Sequence, residues 1–167
     1  MDKLQQLRLF GMAKAMQELH NSAHDEPISF EDRLGLLVDR EMTQRENSRL
    51  QIRLRKAKLR LTATIEDINY SHSRNLDKNV MLSLANCRWI KEHHNCLITG
   101  PTGVGKSYIA CALAHKACRD GFRAVYARAC TLFDDLAIGK ADGGTKKLWP
   151  PMREQTCSSL TTGDSPR

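Results

Sequence analysis

Eight consecutive residues, Gly100, Pro101, Thr102, Gly103, Val104, Gly105, Lys106 and Ser107, satisfy the spacing G-x-x-x-x-G-K-[ST] of a phosphate-binding loop. Each residue type has a physical reason to be there. Gly100, Gly103 and Gly105 let the chain take positive φ and place no Cβ in the way of phosphate oxygens. Successive backbone N–H groups then form an anion nest at a helix N-terminus, which carries a partial positive charge. Lys106 is placed to reach the β- and γ-phosphates. The hydroxyl of Ser107 is a candidate Mg²⁺ ligand, with waters and phosphate oxygens completing the octahedron. At ordinary residue usage such a match arises by chance in about one chain in 200 of this length. A glycine-rich turn before a helix would explain the glycines but not the Lys-Ser pair.

The neighbouring sequence supplies the elements that such a loop needs. Asn95 to Thr99 (NCLIT) is a short apolar run that reads as a buried strand ending at Gly100. Lys106 to Arg119 is alanine-rich and free of Gly and Pro, a helix for which Gly121 is well placed as the C-terminal residue. Arg123 to Ala127 alternates as a second strand, and Thr131 can cap a helix running through Leu132, Phe133, Leu136 and Ile138 toward Gly139. Strand, glycine loop, helix, strand, helix predicts an α/β fold: an incomplete P-loop NTPase domain with a parallel sheet over residues 80–148. Val80, Leu82, Leu84, Ala85, Trp89 and Ile90 predict one further helical stretch at its start.

Residues 1–60 read as a helical module. Leu4, Leu7, Phe10, Met16 and Leu19 recur at helical spacing, and the polar segment from Asn21 to Pro27 reads as a linker. Ser29 followed by Asp32 resembles a capping box opening the next helix. The net charge of +7 is concentrated within that helix. Residues 40–60 hold eight basic side chains against Glu41 and Glu46, which is +6 from one stretch. A run of this kind is either a solvated face or a surface for the phosphate backbone of DNA, whose binding would be strongly salt-dependent. The candidate contacts are Arg45, Arg49, Arg53, Arg55, Lys56, Lys58 and Arg60. No aromatic residues interleave with them to stack single-stranded bases. Residues 61–79 read as a polar linker, and residues 149–167, rich in Ser, Thr, Gly and Pro without periodicity, as a disordered tail.

Composition sets the class. Hydrophobic residues at 41% and charged residues at 27% fit a soluble globular chain and exclude collagen-like and low-complexity types. No run approaches the roughly 18 apolar residues of a membrane span, and no secretory signal is visible, so a cytoplasmic location is expected. The six cysteines include no CxxC pair and are expected to be reduced and structural. His93 and His94 are adjacent and diverge on a helix or a strand, so they predict no metal site.

The stretches RENSRLQIRLRKAKLR and GPTGVGKSYIACALAHKAC, with LDKNVMLSLANCRWI between them, resemble IstB-type ATPases. These are the helper proteins of a family of bacterial insertion sequences, related to DnaC-type helicase loaders. The resemblance covers roughly residues 3–148. It implies an AAA+ ATPase that assembles on DNA as an ATP-dependent oligomer and helps direct a partner transposase. Carried over by motif, residues 100–107 would hold ATP, Ser107 would hold Mg²⁺, and the basic helix would be a surface for duplex DNA. A DnaC-like loader fragment and a non-enzymatic DNA-binding or interaction remnant are the two other readings.

The chain departs from that family after Leu148. The resemblance calls for a Walker B strand, in which four apolar residues lead to acidic ones, then a sensor residue and an arginine finger. Asp134 and Asp135 follow Leu132 and Phe133 in a helical pattern, so they do not supply it. Read one frame away, taking the last base of each codon with the first two of the next, Thr156 to Leu160 can spell four apolar residues. Leu160 to Thr162 can then spell Asp-Asp, under permissive codon choices. The sequence thus leads to the expectation of a frameshift near Leu148, leaving Walker A without Walker B, with nucleotide binding possible and hydrolysis unfavoured.

Overall fold

The computed structural model describes residues 2–21, 29–71, 76–141 and 157–161, giving only the backbone for 157–161 and for Cys130, Asp135, Leu136, Gly139 and Ala141. The chain divides into two compact units, Met1–Gln51 and Ile52–Arg167.

The first unit holds helices α1 (Asp2–Gln6) and α2 (Phe10–Asn21) and the opening of α3 (Phe30–Ala57). The Ser29 cap is formed: Asp32 N–H donates to Ser29 Oγ at 3.1 Å, and Ser29 Oγ donates to Asp32 Oδ2 at 2.7 Å. α3 then runs for 28 residues without an internal break. The packing differs from the apolar stripe expected from sequence. Gly11, Ala13 and Ala15 are the buried residues of α2. Leu7, Phe10 and Met16 face outward, as do Phe30, Leu34 and Leu36 on α3. The cause is close backbone approach. A Cβ on Gly11 would lie 2.7 Å from Arg40 O and from Glu41 Cα, so only small residues can line this contact and the bulky ones splay away.

The second unit begins with the last turns of α3. It continues through α4 (Lys78–Ala85), α5 (Arg88–Lys91), α6 (Lys106–Arg119), strand β1 (Ala124–Arg128), α7 (Ala129–Ala141) and strand β2 (Cys157–Thr161). The single helical stretch expected over 80–90 is broken at Cys87, which sits at φ 53° and is itself buried. The stretch expected as a linker also contributes to the core. Ala63, Ile65 and Ile68 are buried with Met81, Ala85, Ile109, Cys111, Ala112 and Leu113. Thr64 closes this segment by accepting the N–H of Asp67.

β1 and β2 pair in parallel, Ala124 opposite Cys157 through Arg128 opposite Thr161. Two expectations are corrected here. The tail was expected to be without structure, yet five of its residues form β2. Pairing with β1 takes up the backbone groups on one edge of these residues, even though the sequence Cys-Ser-Ser-Leu-Thr carries no apolar run. Asn95–Thr99 was expected as a strand, but it lies outside any ladder, with Leu97 87% exposed. A strand needs a neighbour to take its N–H and C=O groups, and the only ladder among the described residues is β1–β2. The second unit is mostly helical, with β1 and β2 as its strands among the described residues. Among the described residues, no helix is long and apolar enough to cross a membrane.

Candidate nucleotide-binding site

The loop from Gly100 to Gly105 turns through three left-handed glycines, with φ of 146° at Gly100, 86° at Gly103 and 92° at Gly105. A side chain at such angles is strained whatever the space around it, and around Gly103 there is space: a Cβ would meet nothing within 4 Å. The glycine there answers to backbone conformation rather than to crowding. Gly105 is the N-cap of α6 and has no side-chain cap hydrogen bond. The first N–H groups of α6 therefore meet no capping oxygen from Gly105, at the positive end of a fourteen-residue helix. Lys106 lies on that first turn, and its Nζ donates to the backbone oxygen of Pro101 at 2.7 Å. The ammonium is thus folded over the loop it is meant to serve. Ser107, the next residue, is half-buried.

α6 packs behind this loop through one buried face. Ile109, Cys111, Ala112, Leu113, Ala114, Ala117 and Cys118 are all buried. At its far end, Gly121 at φ 94° closes a Schellman turn, with Gly121 N–H on Cys118 O at 3.2 Å and Phe122 N–H on Ala117 O at 2.9 Å. Gly121 was legible in the sequence as this stop.

The residues present fit a nucleotide phosphate: an uncapped helix start, three left-handed glycines, an ammonium within reach of the loop, and a hydroxyl directly after it. No cluster of three or more His, Cys, Asp or Glu suited to a metal occurs among the described residues. Asp134 is exposed on α7, away from any strand end.

The seven candidate DNA contacts divide. Arg45 Nε donates to Glu41 Oε1 at 2.7 Å, and Arg53 Nε donates to the backbone oxygen of Cys118 at 2.8 Å. Arg49, Arg55, Lys56, Lys58 and Arg60 are exposed. Sequence reasoning missed the hydrogen bonds of Arg45, which stays exposed, and of Arg53, which is half-buried, because charge alone does not reveal a cation's partner. It also missed the Glu66–Arg119 ion pair, whose members are far apart in the chain. Beside that pair, His115 Nδ1 is buried without a hydrogen-bond partner. Burial, then the Arg119 charge, hold this imidazole below its ordinary range, with Glu66 opposing them.

A glycine loop opening on a helix, with Lys and Ser directly after it and a parallel strand beyond, is the arrangement of the P-loop class. A family profile described as "IstB-like ATP binding protein" matches residues 2–153, and the chain belongs to that family. It is 44% identical over 144 residues to an ATP-binding protein of insertion sequence IS1162 from Pseudomonas fluorescens, covering 86% of this chain and 62% of that one. It is 45% identical over 148 residues to an insertion-sequence ATP-binding protein of Sinorhizobium fredii, covering 89% and 60%. With an insertion-sequence ATP-binding protein of Mycobacterium tuberculosis it shares 32% over 139 residues, covering 83% and 55%. The chain thus spans less than two thirds of the length of these relatives.

Proposed function

We propose that this chain binds ATP with Mg²⁺ at residues 100–107 and serves in the cytoplasm as an ATP-binding helper of DNA transposition. The observation that carries this reading is the uncapped start of α6 behind three left-handed glycines, with Lys106 and Ser107 on its first turn. The backbone N–H groups of that turn would hold phosphate oxygens, and Lys106 would leave Pro101 O for the phosphate chain. Ser107 would hold Mg²⁺, which supplies charge neutralisation between phosphates when bound. The exposed cations Arg49, Arg55, Lys56, Lys58 and Arg60 would follow the phosphate backbone of duplex DNA. The partner would be the transposase of the same insertion element, with self-assembly on DNA. The relatives' insertion-sequence names favour this over a helicase loader.

Hydrolysis is not part of the proposal. Phosphoryl transfer depends on carboxylates that place Mg²⁺ and the attacking water, and no strand-end carboxylate pair occurs among the described residues. The family match ends at residue 153, close to the expected frame change, which supports a shifted reading frame beyond Leu148. A gene whose alternative frame is closed, or lacks the Asp-Asp pair, would remove that part of the proposal.

Titration of Mg-ATP into the purified chain tests the central claim. Binding that drops at least tenfold in Lys106→Ala, with an unchanged melting temperature in the absence of nucleotide, is the expected outcome. Equal affinity in wild type and variant overturns it. Anisotropy with a labelled duplex across a salt series tests the DNA part, and affinity that does not fall with salt would be incompatible with backbone contacts.

A further inference from the structure

The N–H of Ala124 hydrogen-bonds the Cys118 sulfur, so β1 starts beside the far end of α6. β1 then runs back along α6 toward the glycine loop, and β2 follows it in parallel. Along the helix, Cys118 lies about 18 Å from Lys106. Along the strand, Ala124 lies about 13 Å from Arg128. The remaining gap of about 5 Å is within the reach of an extended arginine side chain, roughly 6 Å from its bond lengths. Side chains alternate along a strand, so Arg128 shares a face with Tyr126 and Ala124. That face is the one against α6: Ala124 is buried, and Tyr126 packs on the core that holds Ile109, Cys111 and Leu113. Arg128 ends the series as its exposed member, and its guanidinium has no hydrogen bond or ion pair among the described residues.

Ligands of open α/β sheets lie outside the carboxyl ends of the strands. Arg128 is the carboxyl end of β1, opposite Thr161 of β2, and α7 begins at the next residue. The positive end of a second helix therefore lies at the same edge. Resting on the reading given under Proposed function, with ATP at residues 100–107, we infer that Arg128 is a further nucleotide-binding residue whose guanidinium takes the terminal phosphate. The backbone N–H groups of a glycine loop enclose the inner phosphates, which leaves the terminal one to project toward the strand ends. The loop thus holds what ATP and ADP share. Arg128 adds a charge-assisted contact that only the triphosphate can make, and its planar fork suits a phosphate better than a lysine ammonium would. The chain then distinguishes ATP from ADP without having to hydrolyse either.

Isothermal titration of Mg-ATP and of Mg-ADP into wild type, Arg128→Ala, Arg128→Lys and Lys106→Ala tests this. Wild type should bind ATP about tenfold or more tighter than ADP, and Arg128→Ala should lose about tenfold for ATP while staying within about twofold for ADP. Arg128→Lys should fall between the two. Lys106→Ala should weaken both nucleotides, because its ammonium reaches a phosphate that they share. Arg128 is exposed at a strand end, so its variants should melt with the wild type. If Arg128→Ala does not fold, the ATP-to-ADP ratio of Arg128→Lys decides. Equal losses for ATP and ADP, an undiminished ratio in the Arg128 variants, or a wild type that does not distinguish the two nucleotides overturns the inference and leaves the proposed function standing. Weaker binding of a DNA duplex by Arg128→Ala at an unchanged ratio also overturns it, since the residue would then be a DNA contact. A wild-type chain that binds neither nucleotide overturns both.

Discussion

The Glu41 carboxylate on α3 accepts the backbone N–H of Gly11 at 2.7 Å and of Met12 at 3.2 Å, closing the exposed N-terminus of α2 from thirty residues away. It is the buried charged residue of the described structure, 6% exposed, and Arg45 completes its coordination. Burial alone would raise its pKa. The Arg45 hydrogen bond and the two N–H groups outweigh that and hold it below its ordinary value of 4.5. A depressed carboxyl stabilises the fold fully above its unfolded value, and that contribution is lost as pH falls through the folded value. The helical unit should therefore lose stability as pH drops below about 4.5. Glu41→Gln should melt lower at pH 7 and show a flatter acid limb. Thermal melts followed by circular dichroism from pH 7 to 3 check this, and superimposable profiles would count against the role.

Two glycines in this unit predict opposite outcomes. Gly11→Ala would drive a methyl group into Arg40 O and Glu41 Cα, both backbone atoms that cannot rotate away. Overpacking of this kind costs about 1–3 kcal/mol. Gly35 lies inside α3 with nothing within 4 Å of its ideal Cβ. Alanine there should stabilise by roughly 0.5–1 kcal/mol, because the unfolded chain loses freedom while the helix gains a better former. Urea titrations of both variants should move the midpoint in opposite directions at an unchanged slope.

The glycine loop, the helix behind it, its Gly121 stop and the Ser29 cap were legible in the sequence because each depends on residues close together in the chain. Val80 to Ile90 was misread because the break at Cys87 comes from a non-glycine residue in left-handed conformation, for which the sequence carries no mark. The 61–79 segment looked like a linker because among its described residues only Ala63, Ile65 and Ile68 are fully buried, with Tyr70 and Leu76 partly so, too few to set a period. Asn95–Thr99 carries strand composition, but whether a ladder forms is decided by residues elsewhere. The same limit hid the inward turn of Arg53, whose partner is a carbonyl 65 positions away.

Met81 offers a direct measure of how well the second unit is packed. It is 2% exposed and sits between the 61–70 segment and α6, in the cluster with Ile65, Ile68 and Ile109. Met81→Ala should cost about 2–5 kcal/mol, the usual range for truncating a buried side chain that leaves a cavity. A single domain has only about 5–15 kcal/mol in total, so the variant should be partly unfolded at 37 °C. Because the same core carries Ile109 and Leu113 of α6, ATP affinity should fall with it. A loss below 1 kcal/mol in urea titration would mean that the connector does not close over this core.

Glu66 and Arg119 join the 61–70 segment to the end of α6 across 53 positions. The Glu66 carboxyl is held down to about 2, first by its own backbone N–H and then by the Arg119 guanidinium. Both side chains are exposed, so solvent screens the pair and its share of stability should be small. That share is present above the ordinary value of 4.5 and is lost only as pH falls toward 2. Arg119→Ala should raise the Glu66 pKa toward, but not up to, 4.5, since the backbone N–H remains. The same substitution removes the cation beside His115, so that imidazole should titrate closer to its ordinary 6.5 while burial still holds it lower. NMR titration of both side chains in wild type and Arg119→Ala reads the two shifts together. Movement of His115 with no movement of Glu66 would show that the backbone N–H alone sets the carboxyl, and that the ion pair is incidental.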